Sequence, residues 1–483
     1  MRDRRIEFIL VLCAAVMIGA RIFGPSALQR QDQPRTVSYT ADIAANDRWL
    51  LPRDMFGNPS TKPPLVNWLA APLLKLGFWT EWVVKMPMLL GSLTTLALTV
   101  FMANYLLSNR DVALLAGIAW LVNPANMSMI YHCRPDPVLI ALLTGAWIFG
   151  TRIVRGKDDP SFLIIAGFWI CIGLAGLTKG PAALVPIIYL PLAARMISGR
   201  WSLMHRSQWW WGLPLAAGIF LLWAIPCAIR YPDAFYNVLI KRELIAHSLG
   251  LGHQLGNKHI TSEGPIAALK LIWQNPAWFV GRFAPWSLGA IAALIMIGWR
   301  NWFRHELAPA ILWFFLVLIF FGLSAHKTAD YIQPAFPAAA ILAAWFCQNA
   351  LRRFYIQPLH IAIASLLLAL GLSIHFDFFS SLARDRRGEN VKDFAREVRG
   401  TVHDDPLVFV NTGYNTLEFF LQRHQPSAVP SAEEWINAKW VIAPLLADLP
   451  AVIVSKPLPT APNSRSVILS LYSMDQVRDR IGK

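Results

Sequence analysis

About eleven apolar runs, most of them long enough to cross a bilayer, govern what this chain can fold into. They fall at roughly 6–24, 86–107, 112–131, 137–154, 161–178, 181–197, 209–229, 279–298, 308–324, 330–349 and 358–378. A span needs about 20 apolar residues, because the hydrocarbon core is about 30 Å thick. No water reaches the backbone there, so each run must satisfy its own peptide groups as a helix. Composition agrees: 55% of the 483 residues are hydrophobic and only 15% charged, with mean hydropathy +0.43. A soluble chain of this length carries far more charge. The expected fold class is an α-helical polytopic membrane protein with a soluble α/β domain at its C-terminus. The division is expected at 1–378 for the membrane part and 379–483 for the soluble part.

The net charge of +15 sits mostly in short connections between the apolar runs. In that setting it reports orientation and anionic lipid, and nucleic acid is not expected as a partner. The connections 1–5, 108–111, 152–160, 195–208, 299–306 and 350–357 all carry Arg or Lys, among them Arg110, Arg155, Arg206, Arg304 and Arg353. The positive-inside rule makes that set cytoplasmic, and the N-terminus with it. Residues 6–24 are read as an uncleaved first helix rather than a signal peptide, since more spans follow. The opposite face then holds loop 25–85, loop 230–278 and the tail. In a Gram-negative host that face is the periplasmic side of the inner membrane. Within the first loop, 65–78 is apolar but too short to span, which suits a helix lying along the interface. The five cysteines show no paired spacing, so neither a disulfide framework nor a zinc knuckle is expected.

The tail changes composition. Glu389–Arg399 reads as a charged helix, while Leu407–Asn411, Trp440–Ala443 and Ser466–Tyr472 read as strands, with 416–422 a helix between the first two.

Charged residues collect on the outer face. Asp32 and Lys62 belong to loop one, and Arg134 and Asp136 to Cys133-Arg-Pro-Asp-Pro137. Lys179 lies in Leu177-Thr-Lys-Gly-Pro181. Arg242 and Glu243 are in the second large loop, Arg282 begins a later span, and Lys327 and Tyr331 lie in Ser324–Tyr331. Carboxylates among several cations suit transfer from a phosphate-linked donor. The cations hold a phosphate leaving group as its charge develops, and a carboxylate takes the proton of an incoming hydroxyl. Each residue also has a plain alternative. Asp32 suits a solvated turn, Asp136 between two prolines suits a helix N-cap, and the lysines suit snorkelling at span ends. His247, His253 and His259 fit no compact metal motif.

Five ordered motifs carry a resemblance. Asp32 precedes Trp49-Leu-Leu-Pro52 by seventeen residues. Lys62-Pro-Pro-Leu-Val-Asn-Trp68 follows, then Asp136, then Gly173–Pro181, then Lys327, Tyr331, Pro334 and Pro337. Over about residues 1–350 the chain resembles the polytopic glycosyltransferases of the GT-C class, which include protein O-mannosyltransferases and the aminoarabinose transferases acting on lipid A. The resemblance implies a polyprenyl-phosphate sugar donor, such as undecaprenyl phosphate, and transfer at the non-cytoplasmic face. It implies Asp32 and Asp136 as catalytic carboxylates and Lys62, Lys179 and Arg134 at the donor phosphate. Lys327, Tyr331, Arg242, Glu243 and Arg282 would line the cavity. An inverting hexosyl or pentosyl transfer is expected, to a lipid, glycan or protein acceptor, by a monomer embedded in membrane lipid.

Two positions depart from the pattern. Gln33 stands where the family often has Glu after the loop-one Asp. Thr61 stands where aminoarabinose transferases carry a Glu that helps hold a metal, so whether a divalent metal is used stays open and no other cofactor is assigned. Two rival readings remain open: a lipid or solute transporter, and a non-catalytic homologue that binds polyprenyl phosphate. Against the transporter, few charges lie mid-span and no inverted repeat is visible.

Overall fold

A computed structural model describes residues 4–23, 28, 33–129, 132–248, 271–324, 326–351, 355–375, 382–410, 412, 416–423, 431–445, 451–457 and 468–481. The helices that frame it are α1 (Arg5–Phe23), α2 (Gln33–Asn46), α3 (Leu65–Lys75), α4 (Glu81–Leu107), α5 (Arg110–Leu121), α6 (Pro124–Met129), α7 (Asp136–Arg155) and α8 (Phe162–Lys179). They continue as α9 (Leu184–Met196), α10 (Trp209–Arg230), α11 (Gln274–Arg282), α12 (Trp286–Ile297), α13 (Ala308–Gly322), α14 (Phe336–Leu351), α15 (Pro358–Ile374) and α16 (Leu382–Val402). A π-helical stretch, Phe235–Ser248, follows α10.

Among the described residues, four helical segments are long and apolar enough to cross a membrane: α4, α7, the run Phe162–Met196 and α10. α12, α13 and α15 are apolar but shorter. Two of the expected runs are interrupted. In 112–131 the break comes at Asn123, because Pro124 disfavours helical geometry in the residue before it. Asn123 Nδ2 donates to the Trp120 carbonyl at 2.6 Å, and its Oδ1 accepts from the Asn126 amide at 3.0 Å. One side chain thus ends α5 and caps α6. The run 279–298 divides between α11 and α12 around Pro285.

The run Phe162–Met196 reverses on itself. Gly180 has φ +40°, a left-handed value that would strain any side chain there. Past it, α9 returns beside α8. A Cβ placed on Gly150 of α7 would lie 3.1 Å from Phe168 and 3.5 Å from Tyr189, so both limbs meet α7 at one level. Lys179 is left at the tip of this hairpin. The core beneath is aromatic. Trp147 stacks on Trp313 at 5.7 Å, and their indole N–H groups donate to the Pro309 and Pro334 carbonyls at 3.2 and 2.9 Å. Buried indoles need such partners.

Loop one is ordered by short polar contacts. Asp42 is fully buried; its Oδ1 accepts from Asn46 at 2.8 Å and its Oδ2 from the Arg53 amide at 2.6 Å. Asn67 of α3 donates to Thr36 O and Thr40 Oγ1 of α2, at 2.9 and 2.8 Å. The carbonyls of Trp49 and Leu50 are each held by an indole. Trp68 Nε1 of α3 donates to the first at 2.7 Å, and Trp223 Nε1 of α10 to the second at 2.8 Å. Two residues of the sequence motifs, Trp49 and Trp68, are therefore joined to each other.

The tail forms a four-stranded sheet in the order β1 (Leu407–Phe409), β2 (Trp440–Pro444), β4 (Leu469–Ser473), β3 (Ile453–Val454). β1 pairs parallel with β2, and the other pairings are antiparallel. β3 has no counterpart in the sequence reading, since two residues make too short a pattern. Phe419, from the helix after β1, joins the cluster of Val37, Val66, Leu74 and Val84, with its ring 5.8 Å from Trp79. Lys392 of α16 pairs with Glu81 at 2.5 Å. The tail thus packs on loop one and on the start of α4.

Candidate active site

Asp136 is the first residue of α7, between Pro135 and Pro137. The N-cap alternative does not hold, because Pro135 occupies the cap and no side chain caps this end. The carboxylate turns instead to the α8–α9 tip, where Lys179 Nζ donates to Asp136 Oδ1 at 2.7 Å. This joins a carboxylate at a helix N-terminus to a cation at a helix C-terminus, so both helix dipoles favour the pair. The approach is close because α4 has no side chain at Gly91; a Cβ there would sit 2.8 Å from the Pro137 carbonyl.

Arg134 lies between two buried carboxylates. Its Nη1 donates to Asp330 Oδ2 at 2.6 Å, and its Nε stands 3.5 Å from Asp136 Oδ2. Asp330 also accepts through Oδ1 from Arg282 at 3.2 Å and from Gln333 Nε2 at 3.3 Å. The Lys179 ammonium lies 4.4 Å from the Tyr331 ring centroid, a cation–π distance. Lys62 is half-buried and within electrostatic reach of both Asp136 and Glu243. Arg242 Nε is 3.4 Å from Glu243 Oε1 on the π-helical stretch. Burial pushes the Glu243 carboxyl above its ordinary range, against the opposing fields of Lys62, Arg242 and Arg35.

The structure therefore brings together Lys62, Arg134, Asp136, Lys179, Arg242, Glu243, Arg282 and Tyr331, from six separate stretches of the chain. Lys327 is anchored at a helix end. Its ammonium donates to the Gly322 and Ser324 carbonyls at the end of α13, a helix terminus rich in unpaired acceptors. Asp32 lies outside the described residues, as do His253 and His259. Its chain neighbour Gln33 begins α2, is buried, and accepts from the Cys133 amide through Oε1 at 2.9 Å. Loop one is thereby held against the Cys133–Pro137 turn.

Sequence reasoning passed over Asp330 and Arg35. The available signal was a carboxylate one residue before Tyr331 and an arginine directly after Gln33-Pro34. Thr61 is the position that bears on a metal, and Gln33 is the other departure from the pattern. Gln33 engages its amide oxygen on Cys133, and buried Thr61 offers only a hydroxyl. Neither supplies an anionic ligand, and among the described residues no three His, Cys, Asp or Glu gather as a metal set. Thr61 therefore lacks the anionic donor that the resemblance would call for at its position.

Residues 61–229 match the family model of dolichyl-phosphate-mannose-protein mannosyltransferases. The chain is 23% identical over 400 residues to an uncharacterized protein of Aquifex aeolicus, covering 78% of this chain and 71% of that one. It is 22% identical over 341 residues to an undecaprenyl phosphate-alpha-4-amino-4-deoxy-L-arabinose arabinosyl transferase of Proteus mirabilis. That alignment covers 69% of this chain and 58% of the relative. ArnT from Cupriavidus metallidurans, solved with undecaprenyl phosphate, has the same fold: TM-score 0.71 at 18% identity, over 95% of this chain and 97% of ArnT. The oligosaccharyltransferase AglB from Archaeoglobus fulgidus, solved with an inhibitory peptide and a dolichol-phosphate, gives TM-score 0.55 at 13% identity, over 91% of this chain and 69% of AglB.

Proposed function

We propose that this chain, a member of the GT-C glycosyltransferase superfamily, moves a sugar from a polyprenyl-phosphate donor to an acceptor at the non-cytoplasmic membrane face. The observation that carries the reading is the buried network of Asp136, Arg134, Lys179 and Asp330, flanked by Lys62, Arg242 and Arg282. The donor's phosphodiester becomes a phosphate monoester as its sugar departs and gains negative charge, and fixed cations in a dry site stabilise that charge without reorganising. Lys62, Lys179 and Arg134 are the residues for this role.

Asp136 is held by Lys179 and faced by Arg134. It serves as a fixed negative charge that orients the acceptor and the two cations. Asp32 is the base that takes the acceptor proton, or orients an acceptor that already carries an oxyanion. The support for Asp32 is its order in the motif series and the seat of Gln33 on the Cys133 amide. Attack opposite the leaving phosphate inverts the anomeric centre. The orientation with a cytoplasmic N-terminus and a periplasmic tail rests on the basic connections.

The test is transfer in detergent or liposomes from a panel of radiolabelled polyprenyl-phosphate sugars, wild type against Asp32→Asn. Release of polyprenyl phosphate by wild type alone is expected, with the variant slower by about 10²–10³ or more. An Asp32→Asn variant with the wild-type rate removes the base assignment. Release from no donor removes the enzyme reading.

A further inference from the structure

Asp330 is not one of the motif residues, yet it is the carboxylate that Arg134 contacts most closely, at 2.6 Å against 3.5 Å for Asp136. Arg134 and Asp330 are both buried. Asp330 is also oversupplied with donors. Its Oδ1 already accepts from Arg282 at 3.2 Å and Gln333 at 3.3 Å, while its Oδ2 accepts from Arg134. Arg282 is the more exposed of the two arginines, with a side chain 37% accessible against 9% for Arg134. A buried cation needs a counter-charge at every stage, since an orphaned charge in such a site is strongly unfavourable. If Arg134 moves to an arriving phosphate, Asp330 remains paired to Arg282 and Gln333.

We propose that Asp330 is a positioning residue that holds Arg134 in the donor-free site and competes with the donor phosphate for it, so that Arg134 passes between Asp330 and the phosphate during the cycle. The inference rests on the donor reading given above. The exchange involves no bond making: an ion pair to Asp330 is replaced by one to phosphate on binding and restored on release of polyprenyl phosphate. Asp330 thereby weakens the hold on the product and hastens its departure.

The sign of this effect separates it from a structural role. Asp330→Asn keeps the shape and removes the competing charge, so it tightens binding. We would measure undecaprenyl phosphate binding to the full-length protein in nanodiscs, for wild type, Asp330→Asn, Arg134→Gln and the double variant. Asp330→Asn is expected to lower Kd on the order of ten-fold, within the range of couplings between contacting groups. It is also expected to lower kcat and the donor KM together, as product release slows. In the Arg134→Gln background, adding Asp330→Asn is expected to change nothing, because the effect acts through Arg134.

Should Asp330→Asn alone not fold, the double variant, which removes both charges of the pair, still gives a decision against Arg134→Gln. Unchanged or weaker binding by Asp330→Asn, or equal tightening in both backgrounds, overturns the inference and leaves the donor reading standing. Wild type that binds no undecaprenyl phosphate overturns the donor reading, and this inference with it.

Discussion

Replacing Lys179 with methionine removes the ammonium and leaves an apolar chain of similar length at the tip of the α8–α9 hairpin. Two unit charges 2.7 Å apart attract by roughly 6 kcal/mol at an effective permittivity of about 20. Desolvation of both groups offsets part of this, and breaking one side of a buried pair costs about 3–5 kcal/mol. After the substitution Asp136 keeps Arg134, at 3.5 Å and shared with Asp330, and the weaker field of Lys62. Lys179→Met is therefore expected to lose about 3–5 kcal/mol. Adding Asp136→Asn should recover a large part, since the orphaned carboxylate is then neutral. The assay is a double-mutant cycle by chemical denaturation in mixed micelles at fixed lipid and detergent. A coupling of about 2–3 kcal/mol is expected between contacting charges. Losses that add to within about 0.5 kcal/mol would show that the two groups do not stabilise one another, and would refute the argument.

Two further outcomes follow from the same contacts. Trp68→Phe and Trp223→Phe each remove one indole N–H from the Trp49 or Leu50 carbonyl, at about 1 kcal/mol per hydrogen bond. Thermal unfolding should show both losses, with Lys62 displaced enough to raise the donor KM; stability equal to wild type in both variants would remove the clamp. The Glu243 carboxyl is raised by burial, so folding favours its protonated form. The stability of wild type relative to Glu243→Gln should be highest below the ordinary value of 4.5 and fall as pH rises through the folded value. A difference that is flat with pH, or that grows with pH, contradicts the burial of this carboxyl.

Much of the molecule is legible without coordinates. The apolar runs set a helical membrane architecture, because a lipid-exposed backbone admits no other spanning element for such residues. Asp136, Lys62 and Lys179 were selected by residue type and motif order, and all three lie in one charged site. Where the reading fell short, the reasons are local. Asn123 ends α5 through side-chain bonds to Trp120 and Asn126, which hydropathy does not register. The bonds from the Lys327 ammonium to the Gly322 and Ser324 carbonyls are likewise absent from any sequence pattern.

The sequence by itself determined the membrane class, the basic connections and the residue types available for phosphate chemistry, since these depend on composition and spacing alone. Only the tertiary structure decided which charges are partners. Asp136 and Lys179 are 43 residues apart, Arg134 and Asp330 are 196 apart, and Trp223 holds a carbonyl 173 residues upstream. Pairings of that span depend on how α4, α7, α8 and α10 pack. A positive-φ glycine at 180 and a missing side chain at 91 fix that packing, and no local pattern encodes the distance between two helix ends.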